Sequence, residues 1–250
     1  MAKQRMSKIS IMHFTRFFMR SALLLGALIL YIVNRVQGTG KPFGWFGENL
    51  FVVGGIWLLF VLEMFFRFIL AKFESMGCQK QFKTRYVPKG EGIVPQKMEW
   101  WRTLITAAVW FALNGIFGLL YYLGIFDEGI LILISFAYAV CDMICVLFFC
   151  PFQTWIMQNK CCTTCRIYNW DYAMMFTPLV FFPSVWGWSL LGISLLLLLE
   201  WEILYRVRPE RFTENTNCGL ACENCQEKLC SHKPQLRSFL RKRRAKNEIK

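Results

Sequence analysis

Eight of the eleven cysteines fall in two short segments whose spacing is typical of metal ligands. The tail segment has the pattern C-x3-C-x2-C-x4-C, and the other segment, residues 150–165, contains Pro151, which breaks a long apolar stretch. Each segment contains a C-x2-C pair, and two thiolates at this spacing reach one ion from a tight turn. We therefore predict that the metal ligands are Cys150, Cys161, Cys162, Cys165, Cys218, Cys222, Cys225 and Cys230.

Three interpretations of these cysteines remain open. In the first, each segment holds its own four-cysteine iron–sulfur cluster, since such clusters tolerate irregular spacing. In the second, the pairs Cys162/Cys165 and Cys222/Cys225 converge on one zinc ion and dock the tail on the membrane domain. In the third, no metal binds, and the adjacent Cys161 and Cys162 are a palmitoylation site or a redox pair. Ligation by cysteine alone favours the iron–sulfur interpretation slightly, although neither common ferredoxin spacing is matched.

The second and fourth predicted membrane spans contain three charged residues. Glu63 and Arg67 are one helical turn apart in the second span, and Asp142 lies near the middle of the fourth. A charge at such depth costs a few kcal/mol or more unless it is paired. We expect Arg67 to pair with Glu63, and Asp142 to join them if the two spans touch. The cluster is interpreted either as an interhelical clamp or as a proton or cation relay.

Several function classes find no support in the sequence. His13 and His232 are the two histidines of the chain, and both lie outside the predicted spans, so a membrane haem with paired histidine ligands is not expected. The phosphate-loop, nucleophile-elbow, zincin and dinucleotide motifs do not occur. Hydrolysis of nucleotides and standard hydrolase chemistry are therefore not predicted.

The elements that position these residues are membrane helices. Hydrophobic residues make up 56% of 250 positions and occur in long blocks, which predicts an all-α integral membrane protein. The predicted spans are residues 17–36, 49–71, 100–123 and 130–150, each long enough for about 30 Å of hydrocarbon. A further apolar tract, residues 172–207, is too long for one ordinary span.

Loop charges determine how this tract is divided. The net charge is +13, and the basic residues concentrate in the N-terminus, in residues 72–99 and in the tail, whereas the turn at Asp127 and Glu128 is acidic. The positive-inside rule places the basic segments in the cytosol. The tract must then cross twice, so we predict about six transmembrane segments with both termini cytosolic. The fifth is short, broken by proline and a candidate re-entrant half-helix.

This topology divides the chain into three parts. Residues 1–16 form a basic cytosolic N-terminus, which precedes a retained first helix rather than a signal peptide. Residues 17–207 form the transmembrane domain with cytosolic loops 72–99 and 151–171. Residues 208–250 form a Cys-rich basic tail. Cysteines on the reducing side of a cytoplasmic membrane favour metal ligation or thiol chemistry over disulfides.

The leading hypothesis is a membrane metalloprotein that transfers electrons through an iron–sulfur cluster at its cytosolic face. Its redox partner would be a protein or a quinone. A second hypothesis is a small transporter or channel with a structural four-cysteine zinc site, and a third is an assembly or scaffold protein without turnover. We expect the basic tail to contact anionic lipid headgroups, whereas nucleic acid is an unlikely partner.

Overall fold

The computed structural model describes residues 7–38, 40–69, 74–90, 92–96, 100–159 and 161–225. These ranges are helical and contain no β-strand, apart from an isolated backbone bridge between Pro88 and Asn217. Cys230 and the basic tail, residues 226–250, lie outside the described residues. The sequence predictions for them are therefore not addressed by the structure.

Eight α-helices are present in the described ranges. Four of them, α1, α3, α5 and α6, are long and apolar enough to cross a membrane. The predicted class of helical membrane protein is confirmed to this extent. The α8 helix has the same length as α5, but it carries Glu200, Glu202 and Arg206 near its end. The helices are α1 (Lys8–Gln37), α2 (Gly44–Glu48), α3 (Leu50–Phe68), α4 (Met76–Gln79), α5 (Trp100–Tyr122), α6 (Glu128–Leu147), α7 (Asp171–Phe176) and α8 (Val185–Val207).

Local sequence explains where the long helices begin and end. Ser7, Asn49, Asp127 and Ser184 precede α1, α3, α6 and α8, and each side chain accepts a hydrogen bond from a backbone N–H of the first turn. The α1 helix ends at Gly38, whose φ of 65° is readily adopted by glycine. The α1 helix also begins well before residue 17, so much of the predicted basic N-terminus is helical.

The helices pack in two pairs, α1 against α6 and α3 against α8. Between them lies the segment from Asp171 to Phe181, which consists of α7 and a 3₁₀ turn that contains Pro178. This segment contacts α5, α6 and α8, and its aromatic and aliphatic side chains form much of the core. Its six-residue helix and five-residue turn agree with the short, proline-broken segment expected from the sequence.

Contacts of the segment follow α5 along its length. Trp110 Nε1 donates a hydrogen bond to Thr177 Oγ1 at 3.2 Å. About two turns further along α5, Gly118 lies against the ring of Phe181, so closely that a Cβ there would be 2.7 Å from Cδ1. The lack of a side chain at residue 118 therefore lets this segment pack against α5.

One end of the bundle is covered by loops that we call the cap, residues 74–90, 161–170 and 209–225. The loop at 74–90 lies between the other two. The Ser75 and Tyr168 hydroxyls are 2.8 Å apart on one side of it. On the other side, Cys218 N donates to Val87 O at 2.8 Å. The cysteine loop and the start of the tail therefore meet the same loop at the same end of the bundle.

Candidate functional site

Arg20 of α1 is the centre of a buried ion-pair network. Its side chain is almost fully buried. Its Nη2 lies 2.7 Å from Glu63 Oε2 of α3, and its Nη1 lies 2.9 Å from Asp142 Oδ2 of α6. Tyr172 of α7 donates its hydroxyl to the same Glu63 oxygen at 2.9 Å. One guanidinium and one phenol thus connect four helices.

Arg16, one turn before Arg20, extends the network toward the cap. Its guanidinium forms two hydrogen bonds with Glu74, at 2.5 and 3.3 Å, and its Nε lies 3.5 Å from Glu63 Oε1. Burial alone would raise the pKa of Glu74, but the charges of Arg16 and Arg67 hold that pKa below its usual value. Glu74 is therefore an ionised carboxylate at neutral pH, and it ties the cap to α1.

Arg67 has a different partner from the one expected. It forms two hydrogen bonds with the carboxylate of Asp171, both at 2.7 Å, and its guanidinium lies 4.4 Å from the ring centroid of Tyr172. The predicted pair of Arg67 with Glu63 is wrong. Glu63 is taken up by Arg16, Arg20 and Tyr172, which reach it from other helices. Spacing along one helix could not indicate those partners.

Glu63 and Asp142 lie in one network, because Arg20 bridges the two carboxylates. The sequence interpretation did not include five members of the network. Arg16 and Arg20 are spaced four residues apart on one face of α1, and that periodicity was the available signal. The omitted members are Arg16, Arg20, Glu74, Asp171 and Tyr172.

His13 lies one turn before Arg16 on the same helix and is 2% exposed. Neither of its ring nitrogens has a hydrogen-bond partner among the described residues. Its neighbours Arg16 and Glu74 are already paired with each other. His13 is therefore a buried polar group at the edge of the network without a role in its ion pairs.

The loop cysteines are held by local hydrogen bonds. Cys162 Sγ donates to Gln153 Oε1 at 2.9 Å and lies 3.6 Å from the carbonyl oxygen of Cys145. Gln153 N in turn donates to Cys150 Sγ at 3.3 Å. Cys161 Sγ is 3.2 Å from the Thr163 hydroxyl. The glutamine therefore links Cys150 to Cys162, while Cys161 has a different polar neighbour.

The fourth loop cysteine, Cys165, is buried in a small apolar cluster with Met157 and Ile167. Burial raises the pKa of its thiol to about 11, and burial likewise raises the pKa of Cys78 in the neighbouring loop to about 12. Both are therefore neutral thiols at physiological pH. A neutral thiol is a weak nucleophile.

The tail cysteines lie on the opposite side of the 74–90 loop. Cys218 Sγ is 3.9 Å from Pro88 O, Cys222 is exposed, and Cys225 ends the described part of the tail. No disulfide forms among the described cysteines. In the same ranges, no three His, Cys, Asp or Glu side chains are arranged to hold a metal ion. The four-cysteine tail motif is only partly described, since Cys230 lies outside these ranges.

Lys80 occupies the interior of the cap. It is 2% exposed, and its Nζ donates to the carbonyl oxygen of Cys165 at 3.4 Å. The rings of Trp201 and Phe212 lie 5.1 and 5.9 Å from this ammonium. Burial lowers the pKa of Lys80 to about 8, although the nearby cysteines partly oppose the shift. Lys80 therefore joins the cysteine loop, α8 and the tail through one buried cation.

A cavity of about 490 Å³ lies at the end of the bundle opposite the cap. This volume is within the range of about 300–1,000 Å³ that is usual for small-molecule sites. Its walls come from α1, α3, α6 and the segment that leads into α8. They are largely apolar, with Leu30, Ile56, Phe60, Ile132 and Phe176 among the lining residues.

The cavity is partly open along α1. Gly26 lines it and is exposed, and a Cβ built on Gly26 would meet no atom within 4 Å. Phe60 separates the inner end of the cavity from the network, because the Arg20 guanidinium lies 5.8 Å from the centroid of that ring. The helices α1 and α3 are thus tied by ion pairs near the cap and are separated by a cavity beyond them.

Searches against protein-family models, curated proteins and solved structures find no match to this chain. The chemistry of the site must therefore be inferred from its own geometry. The paired charges of the network can stabilise the bundle, and the cavity can admit an apolar molecule.

Proposed function

We propose that the protein is a small membrane carrier that binds a hydrophobic molecule within the bilayer. The observation that carries this proposal is the apolar cavity between α1, α3, α6 and the start of α8. Because α1, α3 and α6 have the length and composition of membrane spans, a cavity between them exchanges its contents with lipid rather than with water. This function belongs to the transporter class that the sequence offers as an alternative.

The ion-pair network supports a structural part in this carrier. Each of Arg16, Arg20 and Arg67 has a carboxylate partner, and Glu63 accepts from two groups at once. A buried charge that is paired and hydrogen-bonded stabilises one arrangement of helices. The network therefore fixes α1 to α3 near the cap, where the carrier needs a rigid end.

The proposal includes six membrane crossings with both termini and the cap in the cytosol. Contacts of the cap support an even number of crossings. Glu74, which follows α3, meets Arg16 in the first half of α1. Arg166, which follows α6, pairs with Glu202 in the last turns of α8. The basic side chains of the 74–90 loop favour the cytosolic side for this end, and the acidic Asp127–Glu128 turn lies at the other.

Binding can be tested with a photoreactive hydrocarbon, a long-chain alkane that carries a diazirine, in nanodiscs of the full chain. The wild-type protein is expected to be labelled in α1 and α6. Gly26→Phe fills the mouth of the cavity and should lower this labelling at least fivefold. Gly192→Phe is the matched control, since Gly192 is also an exposed helical glycine with nothing within 4 Å of a Cβ. Equal labelling of both variants and wild type would refute the proposed function.

The crossings have a separate test. Maleimide labelling of single cysteines placed at Lys89 and at Gly124 should reach the first only from the cytosolic side and the second only from the outside. A reporter fused after residue 250 should give a cytosolic signal. An outside signal from that fusion would leave an odd number of crossings and would contradict the proposed topology.

Iron–sulfur or zinc ligation by the cysteines stays a prediction from their spacing, and electron transfer stays a prediction with it. Protein purified without oxygen and assayed for iron and zinc tests the prediction directly. An iron–sulfur protein would be brown and would lose its colour when Cys222 and Cys225 are changed to Ser. A colourless preparation with one zinc per chain would support the structural zinc site, and a metal-free preparation would contradict both.

A further inference from the structure

Ser135 is a polar side chain in the wall of the cavity, in the first half of α6. The residue is 4% exposed, and its Oγ has no hydrogen-bond partner in the part of the chain that the structure describes. A buried hydroxyl on a helix can donate to a carbonyl of the preceding turn, as Ser194 does to Leu191 O at 2.7 Å in α8. Ser135 therefore has an unused hydrogen-bonding capacity beside the cavity.

A buried hydroxyl without a partner is less stable than one that is hydrogen-bonded. The serine side chain has one rotatable bond to its oxygen, and its staggered positions let Oγ turn toward a molecule in the cavity. A bound molecule with an oxygen at this depth would satisfy Ser135. A pure hydrocarbon would leave it unsatisfied.

The charges around the cavity restrict the ligand further. Among the described residues that line it, Glu128 is the single charged side chain, and it is exposed at the start of α6. Neither lysine nor arginine is among the described residues that line the cavity and could neutralise an anion, and Glu128 would repel one. An ion held among apolar side chains without a partner is strongly disfavoured. The cavity is therefore unsuited to a carboxylate or a phosphate.

From these observations we infer that the ligand is an uncharged, largely hydrocarbon molecule with one hydrogen-bonding oxygen that meets Ser135. A long-chain alcohol, a neutral glyceride or a quinone with an isoprenoid tail has this chemistry. The hydrocarbon part lies against the aromatic floor formed by Phe60 and Phe176. This inference rests on the proposed carrier function, because it names the class of molecule that the same cavity binds.

The test uses diazirine probes of one chain length that end in an alcohol, a methyl group or a carboxylate, with the full-length protein in nanodiscs. Wild-type protein should be labelled most strongly by the alcohol. Ser135→Ala should lower labelling by the alcohol about fivefold, the worth of one hydrogen bond, and leave labelling by the alkane unchanged. Since Ser135 has no partner to lose, the variant should keep the thermal stability of the ligand-free wild type.

The outcomes distinguish a failure of the inferred ligand class from a failure of the proposed carrier function. If Ser135→Ala leaves alcohol labelling unchanged, or if the carboxylate labels the wild type more strongly, the ligand class is wrong. If Gly26→Phe still blocks every probe in that case, the cavity remains a binding site. If Gly26→Phe blocks none of them, the carrier function itself fails. Competition by a neutral glyceride, a quinone or a fatty alcohol then distinguishes the members of the class.

Discussion

The buried ion-pair network and the cap both contain buried cations, but the groups that neutralise these cations differ. Arg20 lies between two carboxylates, whereas Lys80 contacts a backbone carbonyl and two aromatic rings. A guanidinium presents several donors in a fixed plane and can serve two acids at once, while an ammonium is a compact charge that loses its proton more easily when buried. The network should therefore hold over a wide range of pH, and the stability of the cap should change with pH.

The largest effect is expected from Arg20→Met. Loss of the guanidinium leaves Glu63 and Asp142 buried without their common partner, which typically costs about 3–5 kcal/mol. The apparent melting temperature of the variant in detergent should fall sharply. Arg35→Met is the matched control in the same helix. Arg35 is 75% exposed and lies 3.7 Å from Asp127, and a pair of this kind is worth at most about 1 kcal/mol.

If the melting temperatures of Arg20→Met and Arg35→Met differ little, the network contributes no more stability than a surface ion pair, and the contrast between network and cap is wrong. A second measurement guards against a variant that fails to fold. Combining Arg20→Met with Glu63→Gln and Asp142→Asn removes the unpaired charges, and the triple variant should recover part of the lost stability. An additive loss would show that the three residues act independently.

How much of this network the sequence could predict depends on the distance between partners along the chain. Apolar blocks predicted the four membrane-length helices, because hydropathy is a local property. Glu63 and Asp142 were also identifiable, since an acid within an apolar block must find a partner. That partner, Arg20, lies 43 residues from one acid and 122 from the other. Helical spacing offered Arg67 as the nearer choice, and only the packing of α1 shows that it is wrong.

The cysteines illustrate the same limit in the cap. Their spacing indicated a turn that gathers thiols, and the structure does contain tight 3₁₀ turns at Cys162–Thr164 and Cys222–Asn224. Whether two such turns approach each other depends on the 74–90 loop between them. The packing of Gly77 against one turn and Gly219 against the other side of the loop is tertiary information. Spacing alone therefore predicted the turns and not their separation.

The second prediction concerns Lys80 and pH. The folded pKa of about 8 lies below the ordinary 10.5, so the folded state releases this proton first. Below pH 8 both states are protonated, and burial of the ammonium costs its full amount, on the order of 3 kcal/mol. Between pH 8 and 10.5 the cost disappears, and the free energy of unfolding rises. Lys80→Met should be more stable than wild type at pH 7 and should lack this rise.

Two buried thiols in the cap lower the free energy of unfolding as pH rises, which is opposite to the effect of Lys80. The pKa values of Cys78 and Cys165, about 12 and 11, exceed the ordinary 9.0, so above pH 9 the unfolded state ionises first and stability falls. Melting temperatures measured from pH 7 to 10.5 should therefore pass through a maximum near pH 9. A wild-type profile that falls above pH 9 without a preceding rise would show that Lys80 is not buried as a cation.

The smallest effect is expected from alanine substitutions at two contacts of the 74–90 loop, one with the cysteine loop and one with the tail. In Gly77→Ala the new methyl group would lie 2.8 Å from Tyr168 Cε1 and 3.0 Å from the backbone Cα of Thr163, so a ring or the chain itself must move. In Gly219→Ala it would lie 2.7 Å from the terminal methyl of Met76, which can rotate away. We expect a loss of about 1–3 kcal/mol for the first and less than half of it for the second.

Protection of the buried Cys165 thiol from a water-soluble maleimide measures this difference locally, since the cap can loosen without unfolding of the helices. Gly77→Ala should expose Cys165 to the reagent, and Gly219→Ala should leave it protected. Equal exposure in both variants would mean that the cysteine loop and the tail detach together. The cap would then be one unit, and the buried Lys80 would be what joins its two sides.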